Sequence, residues 1–353
     1  MERLQKLREI MKQNNLDAFL VTSMSNIKYL AAFSGTTGKV LVTMDEQYFL
    51  TDFRYISQAT KQCVGFKVVD VNNDYANTIN KLINSKTVGF EGDYMTYDNY
   101  QYFKTNCPNL LFKSVSLCKL RMLKEENEIA KIIKANEISL EALDYCLANK
   151  LVPNKTTEKE FRYALESKMQ ELGASGPSFD TIIASGVRSS LPHGVASDKV
   201  IEDGDFITID FGCYYEGYVS DITRTFAINR IDPKLKEIYE IVKEAQLIGV
   251  NAIKPGVKLK DVDKVVRDYI TNKGYGEYFG HGTGHGIGID IHEEPYVRWN
   301  IDEELVPGMV ITIEPGIYLP NIGGVRIEDD VLVTENGHKI LTNYDKNLKV
   351  ISK

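Results

Sequence analysis

Three of the chain's five histidines fall in one run, Gly280-His281-Gly282-Thr283-Gly284-His285-Gly286-Ile287-Gly288-Ile289-Asp290-Ile291-His292. Histidine moves protons near neutral pH and ligates divalent metals through a neutral ring nitrogen. The interleaved glycines remove side-chain bulk, so such a run can crowd a ligand. Acids that could complete a site come from elsewhere. Asp210 ends the apolar run Ile207-Thr208-Ile209, and Asp221 follows eleven residues later. Glu314 follows Ile311-Thr312-Ile313, and Glu328 sits in Val325-Arg326-Ile327-Glu328-Asp329-Asp330. Each acid stands in or at the end of a segment patterned for burial, where an unpaired carboxylate is costly. Four such acids repel one another unless cations neutralise them. One histidine with four carboxylates, mostly oxygen donors, suits one or two divalent ions such as Mn2+, Co2+ or Zn2+.

Each residue also has a plainer reading. A single Asp at a strand end is more often a turn or cap residue. Glu314 before Pro315-Gly316 fits a loop charge, and His193 in Leu191-Pro192-His193-Gly194 fits a turn histidine. Arg326 could pair with Glu328 or Asp329 as a surface ion pair. Five potential ligands in apolar surroundings argue against all of them being incidental. A nucleotide-binding loop is excluded, because residues 280–288 do not fit G-x-G-x-x-G in any register.

These residues need a scaffold, and the chain supplies two. At 353 residues it exceeds the usual size of a single core, which predicts two domains. Residues 1–121 alternate helical stretches with short apolar strands such as Ala18-Phe19-Leu20-Val21-Thr22, Val40 to Thr43, Tyr48 to Thr51 and Thr87 to Glu91. That alternation predicts an α/β unit with a mostly parallel or mixed sheet. Residues 122–353 begin with a long helix over 125–149, stopped by Pro153, and a second helix capped by Thr156 or Thr157. Strands follow over 179–185 and 205–211, with 218–228 returning as a hairpin partner that carries Asp221 back towards Asp210. Helices over 233–252 and 259–272 precede the histidine run. Strands over 310–314 and 324–333 follow it.

Composition narrows the class further. The net charge is -7, with no basic block, which argues against a nucleic-acid partner. No apolar run approaches the roughly 18 residues of a membrane span. The start of the chain reads as a charged amphipathic helix rather than a secretory signal. Five scattered cysteines without a CxxC pair fit free thiols in a reducing compartment, so the cytoplasm is the expected location.

Four stretches occur in a recognisable order and spacing. They are Asp210-Phe211-Gly212 with Ser220-Asp221-Ile222-Thr223-Arg224-Thr225, Gly280 to Gly288, Ile313-Glu314-Pro315-Gly316-Ile317-Tyr318, and Gly323 to Asp329. Together they resemble the pita-bread metallopeptidases, the group of methionine aminopeptidase, aminopeptidase P and prolidase. The additional N-terminal domain resembles the proline-specific branch, as does Ser185-Gly186-Val187-Arg188-Ser189-Ser190-Leu191-Pro192-His193-Gly194. The resemblance implies a small creatinase-like α/β domain followed by a pita-bread α+β catalytic domain.

By that resemblance Asp210 chelates a first metal, Asp221 and Glu328 bridge two, and His285 and Glu314 complete the second. His193 and His292 match the family's non-ligand histidines, which contact substrate and the developing oxyanion. Arg326 matches an arginine that helps hold a bridging acid, and His281 has no assigned chemistry. Relatives of the creatinase and histone-chaperone kind keep the fold but lose ligands; this sequence keeps all five. The implied cofactor is a pair of divalent ions, with Mn2+ preferred and Co2+ or Zn2+ as alternatives. The implied reaction is hydrolysis of Xaa-Pro bonds at the N-terminus of proline-containing peptides, with Glu314 as proton acceptor. Aminopeptidase P-like action on longer peptides is the expectation, and a dipeptide-only prolidase is the alternative. Arg54 or Arg298 could then read the free carboxylate of the dipeptide. A third reading is an inactive peptide-binding module. A homodimer is implied by resemblance alone.

Overall fold

The computed structural model describes residues 2–84 and 86–352. It divides into two compact units, Met1–Arg121 and Met122–Lys353. The first is built on a six-stranded mixed sheet. In spatial order its strands are Lys67–Asp70, Gln47–Thr51, Lys39–Thr43, Ala18–Val21, Thr87–Phe90 and Leu111–Ser114. The apolar strand Ala18–Val21 is buried along its whole length, as a central strand covered on both faces requires. Helices such as Tyr75–Leu82 cover the sheet, and that one starts where the Asp74 side chain accepts the Asn77 N–H at 3.0 Å.

The second unit sets helices against several small sheets. Helix Glu126–Asn149 is fixed at its start by a reciprocal capping box between Glu125 and Glu128. Its apolar face, with Ala135, Ile138 and Leu143, packs with Phe161 and Leu165 of helix Glu158–Glu171 against Ile207, Ile209 and Phe226. Helix Pro233–Ala252 begins at the cap Asp232 with Pro233 in its first turn, where proline's missing N–H costs nothing. It packs with Leu259–Asn272 over the two-stranded ribbon Gly316–Leu319 and Gly323–Arg326. A four-stranded sheet holds Phe206–Phe211 and Ile222–Ile228 side by side, and a five-stranded sheet holds Gly284–Gly286, Val310–Ile313 and Asp329–Thr334. No helix among the described residues is long and apolar enough to cross a membrane.

Several strands are shorter than the sequence predicts, and for one reason. The expected strand 218–228 is two, Tyr218–Val219 and Ile222–Ile228. The first pairs with Cys213–Tyr215 in one sheet, the second with Phe206–Phe211 in another. The expected strand 324–333 likewise splits into Gly323–Arg326, paired with the ribbon, and Asp329–Thr334, paired with Val310–Ile313. The expected strand 179–185 reduces to Ile182–Ser185, which pairs with Phe206–Phe211, while the preceding Gly176–Pro177 pairs with Cys213–Tyr215 in a different sheet. At each of these corners the chain leaves one ladder for the next, which a continuous run of β-formers in sequence does not reveal.

Candidate active site

Three of the four acids occupy such corners. Asp221 lies between Val219 and Ile222, Glu314 between Ile313 and Gly316, and Glu328 between Arg326 and Asp329. Asp210 stays within its strand, opposite Thr223. The corner at Asp221 needs a residue without a side chain beside it. A Cβ on Gly212 would lie 1.9 Å from the Ser220 carbonyl oxygen. The histidine run has the same requirement at Gly284, whose Cβ would lie 1.9 Å from the Thr312 carbonyl oxygen. His285 follows at once, and the ladder shifts register between His285 and Gly286, which re-aims the side chain as a bulge does.

These corners open on one cavity of about 650 Å3. Asp210, Asp221, His285, Glu314, Glu328, Arg326, His193 and His292 all line it, as do His281, Tyr318 and Arg298. One ligand-capable atom from each of Asp221, His285 and Glu328 lies within 4.8 Å of the others. His285 Nε2 is 3.6 Å from Asp221 Oδ2 and 3.5 Å from Glu314 Oε1. Its other nitrogen, Nδ1, stands 3.1 Å from the Gly286 carbonyl oxygen, which can only accept. That contact puts the proton on Nδ1 and leaves a lone pair on Nε2, the tautomer of a metal ligand. A lone pair facing two carboxylates is repulsive unless a cation lies among them.

The electrostatics agree. Burial, then the charges of Glu328, Asp210, Asp330 and Glu314, push the Asp221 carboxyl well above the usual carboxylate range. Burial, then Glu314 and Asp210, does the same to Glu328. Glu314 is pushed up to about 8 by burial, with Asp210 adding to it and Arg326 opposing. Burial, and after it the neighbouring His292, lowers His285 to about 3, so its ring is neutral. One buried oxygen, Asp210 Oδ1, has no hydrogen-bond partner among the described residues. Four crowded carboxylates, one neutral imidazole and an orphaned oxygen fit divalent cations held mainly by oxygen.

Arg326 ties the acids to the surrounding walls. Its Nη2 donates to Asp210 Oδ2 at 2.6 Å, its Nε to Thr223 Oγ1 at 3.2 Å, and its Nη1 to Pro192 O at 3.1 Å and Tyr318 Oη at 2.9 Å. Thr223 Oγ1 in turn donates to Glu328 Oε2 at 2.6 Å. Tyr318 Oη lies 2.9 Å from His281 Nε2, and His281 Nδ1 lies 2.8 Å from Gly282 O. Since Gly282 O only accepts, the proton sits on Nδ1 and Tyr318 donates to Nε2. His281 therefore supports Tyr318 rather than reaching for the acids. The neighbouring His292 ring packs edge-on against His285 at 4.3 Å between centroids.

Sequence reasoning missed Tyr318, Thr223 and the clamp that holds the glycine-rich run. In that clamp Asp263 binds Arg267 through two bonds of 3.0 and 2.9 Å. Arg267 Nη2 also donates to His281 O at 2.8 Å, while Thr283 Oγ1 donates to Asp263 Oδ1 at 2.8 Å. Tyr318 lies within a recognised motif, and its polar group amid Ile317 and Leu319 was a readable signal. The Asp263–Arg267 pair looks like any i,i+4 helix pair and gave none. Of the two arginines considered as carboxylate readers, Arg298 lines the cavity and stacks over Tyr296 at 4.5 Å. Arg54 lies in the first unit, clamped by Asp52 at 2.9 Å.

Residues 130–335 match the profile of metallopeptidase family M24, and residues 3–123 that of the creatinase/prolidase N-terminal domain. An Xaa-Pro dipeptidase structure from Bacillus anthracis superposes with a TM-score of 0.95 at 46% identity, covering 99% of each chain. An Xaa-Pro dipeptidase of Pyrococcus furiosus is 42% identical over 98% of this chain and 99% of its own. An X-Pro aminopeptidase structure from Thermotoga maritima matches with a TM-score of 0.90 at 38% identity, covering 98% of this chain and 99% of its own.

Proposed function

The chain is a metallopeptidase of family M24 with a creatinase/prolidase-type N-terminal domain, and on that premise we propose that it hydrolyses Xaa-Pro dipeptides. The anticipated two-part fold, a creatinase-like unit followed by a pita-bread catalytic unit, is the fold of this chain. The preference between the two proline-specific activities changes. The aminopeptidase P-like expectation gives way to the prolidase alternative, because relatives bearing the dipeptidase name match at 46% and 42% identity and the aminopeptidase at 38%.

The observation that carries the reading is the donor set on one cavity wall, Asp210, Asp221, His285, Glu314 and Glu328, with the Arg298 cation on the same cavity. In this reading the five donors would hold two divalent cations. Such cations supply Lewis acidity and bring the pKa of water towards neutrality. Glu314 accepts the proton of the attacking water and returns it to the leaving proline nitrogen. His193 and His292 offer N–H donors to the carbonyl oxygen as it gains charge. Arg298 pairs with the free carboxylate that follows proline in a dipeptide, a planar bidentate partner for which arginine is suited. Mn2+ is the ion we assign, the homodimer the assembly, and the cytoplasm the compartment. The five free thiols are consistent with that compartment.

The test compares Gly-Pro with Gly-Pro-Ala on protein loaded with Mn2+, with metal content measured on the same sample. Cleavage of the dipeptide alone is the expected result. Equal or faster release of glycine from the tripeptide would restore the aminopeptidase reading. Full metal loading with cleavage of neither peptide would favour the binding module.

A further inference from the structure

The loop from Ser185 to Ser197 carries His193 to the cavity, and both of its ends close on one side chain. Glu158, the first residue of helix Glu158–Glu171, is fully buried at 0% exposure. Its Oε1 accepts from Ser185 N at 2.8 Å and Ser185 Oγ at 2.9 Å. Its Oε2 accepts from Arg188 Nε at 3.0 Å, Ser197 N at 3.0 Å and Ser197 Oγ at 2.7 Å. The helix start adds two backbone bonds, Glu158 N to Lys199 O at 3.0 Å and Lys159 N to Ser197 O at 3.1 Å. Arg188 extends the clamp into the loop by donating to Val195 O at 2.6 Å. Between these anchors the loop meets the site: Arg326 Nη1, whose guanidinium also holds Asp210, donates to Pro192 O at 3.1 Å.

We propose that Glu158 is a positioning residue that fixes this loop and thereby aims the His193 imidazole into the cavity. The inference rests on the reading above, in which His193 meets substrate. Two observations carry it. Five donors and no acceptor converge on the two oxygens, a demand that a carboxylate meets and an amide does not, because an amide presents its own N–H bonds. The His193 side chain is exposed and its ring makes no hydrogen bond among the described residues, so it is the loop backbone, which places its Cα–Cβ bond, that brings the ring to the cavity. The negative charge on Glu158 is also favoured by its place in the first turn of a helix.

The test is a double-mutant cycle on the Mn2+-loaded enzyme with Gly-Pro as substrate. Glu158→Gln is expected to lower kcat/KM by about tenfold, in the range found when an orienting partner is lost, with metal content unchanged. In a His193→Ala background the same change is expected to cost less than about twofold, since the group it aims is gone. An equal loss in both backgrounds, or a fall in metal content, overturns the proposal. Arg188→Gln gives a second route if Glu158→Gln does not fold, because the Arg188 side chain is 30% exposed and tolerates the change. It removes one donor to Glu158 and the bond to Val195, and the same dependence on His193 is expected. Hydrogen exchange separates this inference from the reading it rests on. Faster exchange over residues 186–196 with unchanged exchange over 206–211 is expected in Glu158→Gln, whatever the substrate. Unchanged exchange in the loop overturns the proposal.

Discussion

Buried carboxylates occur in two kinds of surroundings in this protein. Glu158 takes five hydrogen bonds from main-chain and side-chain donors. Glu91, in the N-terminal unit, is 1% exposed and is treated the same way: Thr22 N and Ser23 N donate to Oε2 at 2.5 and 2.9 Å, and Asn26 Nδ2 donates to Oε1 at 2.6 Å. The acids of the cavity differ. Asp210 has one oxygen on Arg326 and one without a partner among the described residues. Glu328 accepts the Thr223 hydroxyl, and the Asp221 carboxylate accepts no hydrogen bond from the described residues. Glu158 and Glu91 are saturated by the chain itself, which offsets the several kcal/mol that an unmet buried charge costs. Free lone pairs that face other carboxylates, as in the cavity, are relieved by protonation, to which the raised Asp221 and Glu314 carboxyls point, or in the proposed reading by bound cations. Asp330 falls between the two, since its Oδ2 accepts from Asn136 Nδ2 and Asp221 N while its buried Oδ1 has no partner among the described residues, so the contrast is between Glu158 and Glu91 on one side and the cavity acids on the other.

The largest expected effect follows directly. Asp221→Asn should remove metal and lower Gly-Pro hydrolysis by more than about 100-fold, beyond the usual cost of losing an outer partner. Glu158→Gln should keep its metal. Elemental analysis alongside the assay decides it, and full metal occupancy in Asp221→Asn would break the contrast. Stability should move the other way. In metal-free protein Asp221→Asn relieves repulsion from Glu328, Asp210 and Glu314 and should stabilise by about 1 kcal/mol. Glu158→Ala leaves Arg188 and four further donors unmet and should destabilise by roughly 3–5 kcal/mol. Urea unfolding of chelator-treated samples measures both, and equal signs would sink the distinction.

The difference also explains what could be read from the sequence. The acids and the histidine that line the cavity were legible because acids interrupt apolar runs at Asp210, Glu314 and Glu328, and because glycines crowd His285. The α/β alternation of the first unit was legible from its short apolar strands. The corners were not. Periodicity shows that 218–228 and 324–333 favour β structure, but the change of sheet at Asp221 and at Glu328 is set by tertiary pairing. Nor was the role of Glu158 legible. In sequence it is one more acid after a helix cap, and only the fold brings Ser185, Arg188 and Ser197 onto it.

Within the cavity the two adjacent histidines sharpen the contrast on a smaller scale. His285→Ala should lose metal. His292→Ala should retain it and lower kcat by about 100-fold, the low end for a group that acts on protons or charge in the transition state. The rings touch, at 4.3 Å between centroids, so equal metal loss in both variants would show that contact with a donor suffices and that ligand and substrate histidines are not distinct.

Tyr318 gives the smallest effect and the finest test. Its hydroxyl accepts from Arg326 and donates to His281, so it links the guanidinium on Asp210 to the start of the glycine-rich run. Tyr318→Phe keeps the ring and removes both bonds. Arg326 retains Asp210, Thr223 and Pro192 as partners, whereas His281 Nε2 loses its donor. The cost to stability should be about 1 kcal/mol, that of a typical hydrogen bond. Metal content should be unchanged and kcat lower by about tenfold, as for other orienting partners. Calorimetric unfolding, elemental analysis and steady-state kinetics on one preparation measure all three. A loss of metal in Tyr318→Phe would mean that the cavity acids depend on chain-supplied donors as Glu158 does, and the two kinds of buried carboxylate would then differ only in degree.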